Sequence, residues 1–304
     1  MHRKPYKSRT ESTELQILGI LLRRMDLSEK DLRYYSNLIK GYEGERMFDR
    51  LTEKLQCECI ILNDLLLQVH NTTFQIDTLL ILSDALYLYE VKNYDGDYFF
   101  ESDRFYKKPK SEYSNPLHQL ERNESLLRQL LYKLGSKMSI EGYVVFINPE
   151  FTLYQAPLNK PFIFPTQLNR YLNNLDSIPS KLTGKHKILA DQLKAKHIIH
   201  SPYTQLPAYD FQQLKKGLIC EKCSAFSVFV EGKEICCKKC YHNEAVSLAV
   251  LRNVQEFKLL FPNQRITTNI IHVWCNGIIS RKRIRNILKK HLTIIGVHQW
   301  AYYE

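Results

Sequence analysis

The sequence predicts an α/β (α+β) protein. Three observations carry that expectation: a strand-like hairpin from Phe74 to Asn93, leucine-rich stretches at helical spacing on both sides of it, and a group of paired cysteines followed by a basic tail. At 304 residues and 44% hydrophobic content, the chain has room for one large domain and smaller modules.

Taken in order, the first dozen residues are basic and polar and are expected to fray. Glu14 to Met25 reads as a helix. Ser28, a plausible N-cap, opens a second helix through Ile39. Gly41-Tyr42-Glu43-Gly44-Glu45 is expected to break it, and a third helix runs to about Leu55 with Phe48, Leu51 and Leu55 on its buried stripe. Glu45 precedes Phe48 by one turn and leans to the same face, although an acid in a first turn is commonly a solvated group favoured by the helix dipole. Cys57 to Val69 is expected as a strand with a kink at Asn63-Asp64, and Cys57 and Cys59 as packed thiols. After the hairpin come an aromatic strand from Tyr98 to Tyr106, a helix from Leu117 to Leu134 capped by Asn115-Pro116, and a buried strand from Gly142 to Asn148. Pro149 to Pro165 reads as irregular, with Phe162 to Phe164 as an edge strand. Helices follow at Thr166 to Leu175 and Lys185 to Ile199, then a connector around Ser201-Pro202 and Leu206-Pro207.

The hairpin carries the chemistry. With Leu82 opposite Ala85 across a tight turn, Leu79 faces Leu88 and Asp77 faces Glu90, while Lys92 points the way Glu90 does. Two acids directly opposed across strands repel, so a cation between them is the arrangement's natural complement. A divalent metal site on Asp77 and Glu90 is the expectation, with Lys92 beside it.

Cys220-x2-Cys223 and Cys237-x2-Cys240 are two CxxC pairs separated by thirteen residues, with a strand-like stretch and a turn at Glu231-Gly232 between them. Two such knuckles predict a closed, structural tetrathiolate Zn2+ site. Cys236 competes with Cys237 for the third position, a redox dithiol is the alternative to a metal, and Cys275 reads as core.

The formal net charge is +11, and more than half of it falls from Arg265 onward, where seven Lys or Arg face one acid, Glu304. Tyr241 to Leu260, Thr267 to Trp274 and a Ser280-capped helix through His291 are followed by an alternating stretch to Tyr303. That is the order of a winged helix-turn-helix. Arg281, Lys282, Arg283, Arg285, Lys289 and Lys290 on its last helix are the candidate nucleic-acid contacts. The expected domains are a helical extension (1–40), the main α/β unit (41–165), a helical connector (166–214), a zinc knuckle (215–243) and the basic tail (244–304). No apolar run is long enough to span a membrane and no signal-peptide core follows the N-terminus, so a cytoplasmic protein is expected, with the oligomeric state open and a homodimer compatible.

From about Gly41 to Ile147 the chain resembles the nuclease-related domain, NERD, of bacterial proteins, a distant branch of the PD-(D/E)XK nuclease superfamily. The residues that carry the resemblance are Gly41-Tyr42-Glu43-Gly44-Glu45, Gln75-Ile76-Asp77, Glu90-Val91-Lys92-Asn93 with Gly96 shortly after, and Asn115-Pro116-Leu117-His118-Gln119-Leu120. The resemblance implies a restriction-endonuclease-like mixed sheet flanked by helices. It also implies Asp77 and Glu90 as ligands of Mg2+ or Mn2+, Lys92 as catalytic lysine, Glu45 as accessory acid and Gln119 as an auxiliary polar residue. It points to a metal-dependent deoxyribonuclease, with the zinc and basic modules binding DNA. The competing reading is a non-catalytic DNA-binding or scaffold protein whose hairpin acids are a surface ion-pair patch. A redox or zinc sensor built on the thiols comes third.

Overall fold

The computed structural model describes residues 4–199, 201–297 and 301–304. The chain divides into two units. One comprises Ser36–Thr204 with the N-terminal segment that ends at Glu11, and the other comprises Ser12–Tyr35 with Gln205–Glu304.

Helix α1 (Thr13–Arg24) is capped by Ser12, whose hydroxyl accepts the Leu15 N–H. Helix α2 (Glu29–Thr52) is continuous where the sequence suggested a break at Gly41 and Gly44. Gly44 is there for proximity and not for a turn: a Cβ on it would collide with Cβ of Asn93 and stand 3.2 Å from Ile147. The glycine lets the helix lie directly on the end of the hairpin.

In the first unit, β1 (Ile60–Val69), β2 (Thr72–Ile81) and β3 (Ala85–Lys92) form an antiparallel meander. Leu79 faces Leu88, as the expected register requires, and the turn closes with Leu82 N–H on the Ala85 carbonyl. The expected aromatic strand is instead a hairpin of β4 (Gly96–Glu101) and β5 (Arg104–Lys107), because Ser102 and Asp103 both adopt positive φ, 50° and 60°, as a two-residue turn demands. After β6 (Ser111–Tyr113) comes α3 (Pro116–Lys133), whose first turn Asn115 caps by accepting the Leu117 N–H at 3.1 Å. Then β7 (Ser139–Phe146) runs parallel to β3. The stretch read as irregular contains β8 (Phe151–Tyr154), parallel to β4, before the short edge strand β9 (Phe162–Ile163). The resulting mixed sheet has the order β1-β2-β3-β7-β9, and a smaller one has the order β6-β5-β4-β8.

Alternate side chains of the hairpin go to opposite faces of the larger sheet. Leu79, Ile81, Leu86 and Leu88 pack with α3 and with Leu189 and Leu193 of a later helix, α5 (Gly184–Ala195). Leu80, Tyr87, Tyr89 and Val91 pack with Phe48 of α2 and with Leu168, Leu172 and Leu175 of α4 (Leu168–Asp176). The sheet is therefore buried on both sides, which is why its central strands read as nearly continuous apolar runs. The N-terminal segment does not fray: Lys7 bridges Leu62 in parallel along the free edge of β1, and its ammonium donates to the Asn63 carbonyl at 2.8 Å and to that of Asp64.

The second unit has its own core. A three-stranded sheet of β10 (Val228–Glu231), β11 (Glu234–Cys237) and β12 (Asn243–Ala245) precedes α6 (Val246–Leu260), α7 (Thr268–Trp274) and α8 (Arg281–His291). The helix expected from Tyr241 starts only at Val246, because Asn243–Ala245 pairs with β11. Trp274 and Cys275 are fully buried, and the Arg24 guanidinium lies 4.1 Å above the indole while bonding Glu256 at 2.6 Å. Ser280 caps α8, and in the alternating stretch that follows, β13 (Ile294–Ile295) pairs antiparallel with β14 (Tyr302–Tyr303); residues 298–300 lie outside the described residues.

Candidate functional site

Two sheet ladders are interrupted at one place. On β1 the register lapses at Asp64, whose φ is 55°, and the β2–β3 pairing stops at Thr78–Tyr89. Asp77 sits at this parting of the strands. Its carboxylate replaces the missing ladder bond by accepting the Val91 N–H at 2.8 Å. Glu90, the next residue along β3, is 1% exposed, and its Oε1 accepts the Lys92 ammonium at 2.6 Å. Lys92 also donates to Oε1 of Gln119 at 3.0 Å, and the Asn115 cap fixes the helical turn that carries Gln119. The structure thus brings Asp77, Glu90, Lys92 and Gln119 together.

Glu45 comes from α2 and reaches the same neighbourhood, where it is paired with Arg9. Arg9 is the residue that sequence reading missed. Its side chain is 3% exposed, and it forks between Glu45, Asp49 at 2.9 and 3.0 Å, and the Asp77 backbone carbonyl at 2.7 Å. No motif marks it; only the anchoring of Lys7 along β1 places it there.

The electrostatics are those of crowded buried acids. Burial, and then the charge of Asp77, push the Glu90 carboxyl up to about 8 against the opposing Lys92. Burial and Asp77 push Glu45 up to about 8 as well, against Arg9. Asp77 is raised by burial, which outweighs Lys92, the Val91 N–H and Arg9. Burial works against the Lys92 charge, but Glu90 beside it more than compensates and keeps the ammonium. Fully ionised, the four acids Glu45, Asp49, Asp77 and Glu90 exceed the two cations Lys92 and Arg9 by two negative charges.

One atom shows what the group lacks: Oε2 of Glu90 is buried with no hydrogen-bond partner. An orphaned buried carboxylate oxygen costs on the order of 1–3 kcal/mol or more. Hard oxygen donors with two uncompensated charges suit a divalent ion such as Mg2+.

The cysteines make a tighter group. Among the described residues, Cys220, Cys223, Cys237 and Cys240 alone bring three or more metal-ligating side-chain atoms within 4.8 Å of one another. The two knuckles repeat one geometry. Ser224 N–H bonds the Cys220 carbonyl and Tyr241 N–H that of Cys237, each at 3.0 Å, and Ser224 and Tyr241 have φ of 55° and 56°. Neighbours on a strand point to opposite sides, so Cys237 enters the cluster while Cys236 faces Glu231 at 3.6 Å. Backbone N–H groups of Cys240 and Lys239 lower the Cys237 thiol to about 6, toward the thiolate a zinc ion needs.

On α8, Arg281, Lys282, Arg285, Lys289 and Lys290 are exposed, with no acidic partner among the described residues. Arg283 is half-buried and donates to the Gly232 carbonyl at 2.8 Å, so it braces the hairpin turn and is the least free of the six. No described helix is long and apolar enough to cross a membrane.

No curated protein and no solved structure matches the chain. The family model of the nuclease-related domain matches residues 40–147, a span that holds Glu45, Asp77, Glu90, Lys92 and Gln119 and leaves out Arg9, the four clustered cysteines and α8. Between residues 40 and 147, then, this chain carries a nuclease-related domain, followed by a four-cysteine cluster compatible with a zinc knuckle.

Proposed function

We propose that the first unit is a metal-dependent deoxyribonuclease. The observation that carries this reading is the buried, unpartnered Glu90 oxygen beside Asp77, with the Lys92 ammonium held between Glu90 and Gln119. Asp77 and Glu90 would hold Mg2+ or Mn2+, which when bound supplies charge relief to the scissile phosphate and a more acidic water.

The protein's own groups account for the rest. Lys92 presents a fixed positive charge where the pentacovalent phosphate develops negative charge, and Gln119 and Glu90 restrict that ammonium to one orientation. Burial and then the charge of Asp77 raise the Glu90 carboxyl, and burial raises that of Asp77, so both acids gain from a cation held between them. Val91 N–H keeps Asp77 from turning away.

The second unit supports this role by a Zn2+ that Cys220, Cys223, Cys237 and Cys240 would close off in a structural site. Arg281, Lys282, Arg285, Lys289 and Lys290 would engage DNA phosphates without reading sequence. Plasmid DNA incubated with the protein and Mg2+ or Mn2+ tests the reading. Nicking or linearisation is expected from the wild type and not from Asp77→Ala or Lys92→Ala. DNA retarded on a gel but uncut under all conditions would favour the non-catalytic binder.

A further inference from the structure

The environment of Arg9 has a consequence for how many metal ions this site can take. Two carboxylates, from Glu45 and Asp49, and the Asp77 backbone carbonyl meet between α2 and the hairpin, and the Arg9 guanidinium lies among them. Arg9 donates through all three of its nitrogens: one to Glu45, two to Asp49 at 2.9 and 3.0 Å, and one of these again to the Asp77 carbonyl at 2.7 Å. Its side chain is 3% exposed, so solvent cannot readily exchange for it.

Nor can it lose its charge, because a guanidinium does not deprotonate in proteins. The segment that carries it is tied down on both sides of Lys7. Tyr6 N–H bonds the Ile61 carbonyl at 2.9 Å, Asn63 N–H bonds that of Lys7 at 2.9 Å, and the Lys7 ammonium holds the Asn63 and Asp64 carbonyls. The opposite side of the acid group differs: there Glu90 keeps an oxygen without a partner.

We propose that Arg9 is a built-in cation standing where a second divalent ion would bind, so that the centre holds one metal, on Asp77 and Glu90, while Glu45 is retained as the partner of Arg9 and does not enter the metal's shell. This rests on the metal-dependent reading above. Two-metal phosphoryl-transfer sites need carboxylates shared between ions about 4 Å apart. Here the acids that would hold the second ion already face a permanent charge. Arg9 is thus a positioning residue for Glu45 and for the strand end at Asp77.

Mn2+ binding to the full-length, zinc-loaded protein, followed by the electron spin resonance signal of the free ion, tests the count. The wild type is expected to bind one Mn2+ per chain. Glu45→Gln is expected to leave that affinity within the roughly tenfold that removal of a supporting hydrogen bond costs. Arg9→Met, which keeps the aliphatic stem, is expected to bind two, falling back to one in Arg9→Met with Glu45→Gln and in Arg9→Lys. Two ions in the wild type, one in Arg9→Met, or a larger loss from Glu45→Gln would each overturn the inference. No Mn2+ in the wild type but binding in Arg9→Met would keep Arg9 as the resident cation and sink the metal-dependent reading. No binding in either would sink both. If Arg9→Met does not fold, Glu45→Gln in the wild-type background decides.

Discussion

The two candidate metal centres solve opposite problems. The cysteine cluster draws four like ligands from twenty-one consecutive residues, and each knuckle folds on its own backbone hydrogen bonds. The acid site draws unlike groups from the N-terminal segment, α2, β2, β3 and α3, and leaves one carboxylate oxygen unsatisfied. A site closed on all four sides serves folding. One assembled from distant elements, with repulsion left in it, holds a charge imbalance that a substrate and its metal can use.

The comparison breaks most visibly at Cys237. Cys237→Ser is expected to abolish binding of one Zn2+ per chain and to unfold the second unit, since a structural zinc contributes roughly 10 kcal/mol or more to such a fold. Elemental analysis and circular dichroism check this. Next in size is Gly44→Ala, where the new methyl must displace Asn93. Overpacking of this kind costs about 1–3 kcal/mol. Thermal denaturation should register that loss, together with reduced cleavage as Lys92 shifts with its neighbour.

The acid site should also show in the pH dependence of stability. The folded-state values of Glu45 and Glu90 are about 8, above the usual 4.5. The folded protein therefore keeps protons that the unfolded chain has released. Without divalent metal its unfolding free energy should fall as pH rises from about 4.5 to about 8, and added Mg2+ should restore it. Denaturant titrations at several pH values measure this, and a stability that rises over that window without metal would contradict the assigned burial of the two acids.

Smaller still, Lys289→Gln with Lys290→Gln should lower the slope of log affinity for DNA against log salt by about one for each phosphate no longer neutralised. Cys236→Ser, in contrast to its neighbour, should keep the zinc and cost about 1 kcal/mol, the ordinary size of a single substitution at a buried position.

These contrasts follow what the sequence could and could not reveal. The cysteine pairs are read from spacing because the chemistry is local. The hairpin and its register are legible because period-two alternation fixes which residues face each other, and the Asn115 cap is legible because helix N-termini have a side-chain signature. Gly44 misleads: glycine in a helix signals either an end or a close approach, and only the position of Asn93 decides between them. The turn at Ser102-Asp103 is hidden because neither residue is a glycine. Arg9 is hidden more thoroughly, since a basic residue in a polar N-terminal stretch is indistinguishable from a solvated tail until the edge of β1 is seen to bind Lys7. Cys236 and Cys237 are separable once a strand runs through them, which gives them opposite sides.

The most direct test of the central claim is the single-turnover rate at which the protein with Mg2+ cleaves an end-labelled DNA duplex, compared between the wild type and Asp77→Asn. The amide can still accept the Val91 N–H at 2.8 Å, so the fold and DNA affinity should be retained. The cleavage rate should drop by about a hundredfold or more, as expected when a group acting on the reacting centre is removed. A rate within twofold of the wild type, in a folded and metal-loaded variant, would contradict the assignment of this hairpin as the catalytic centre.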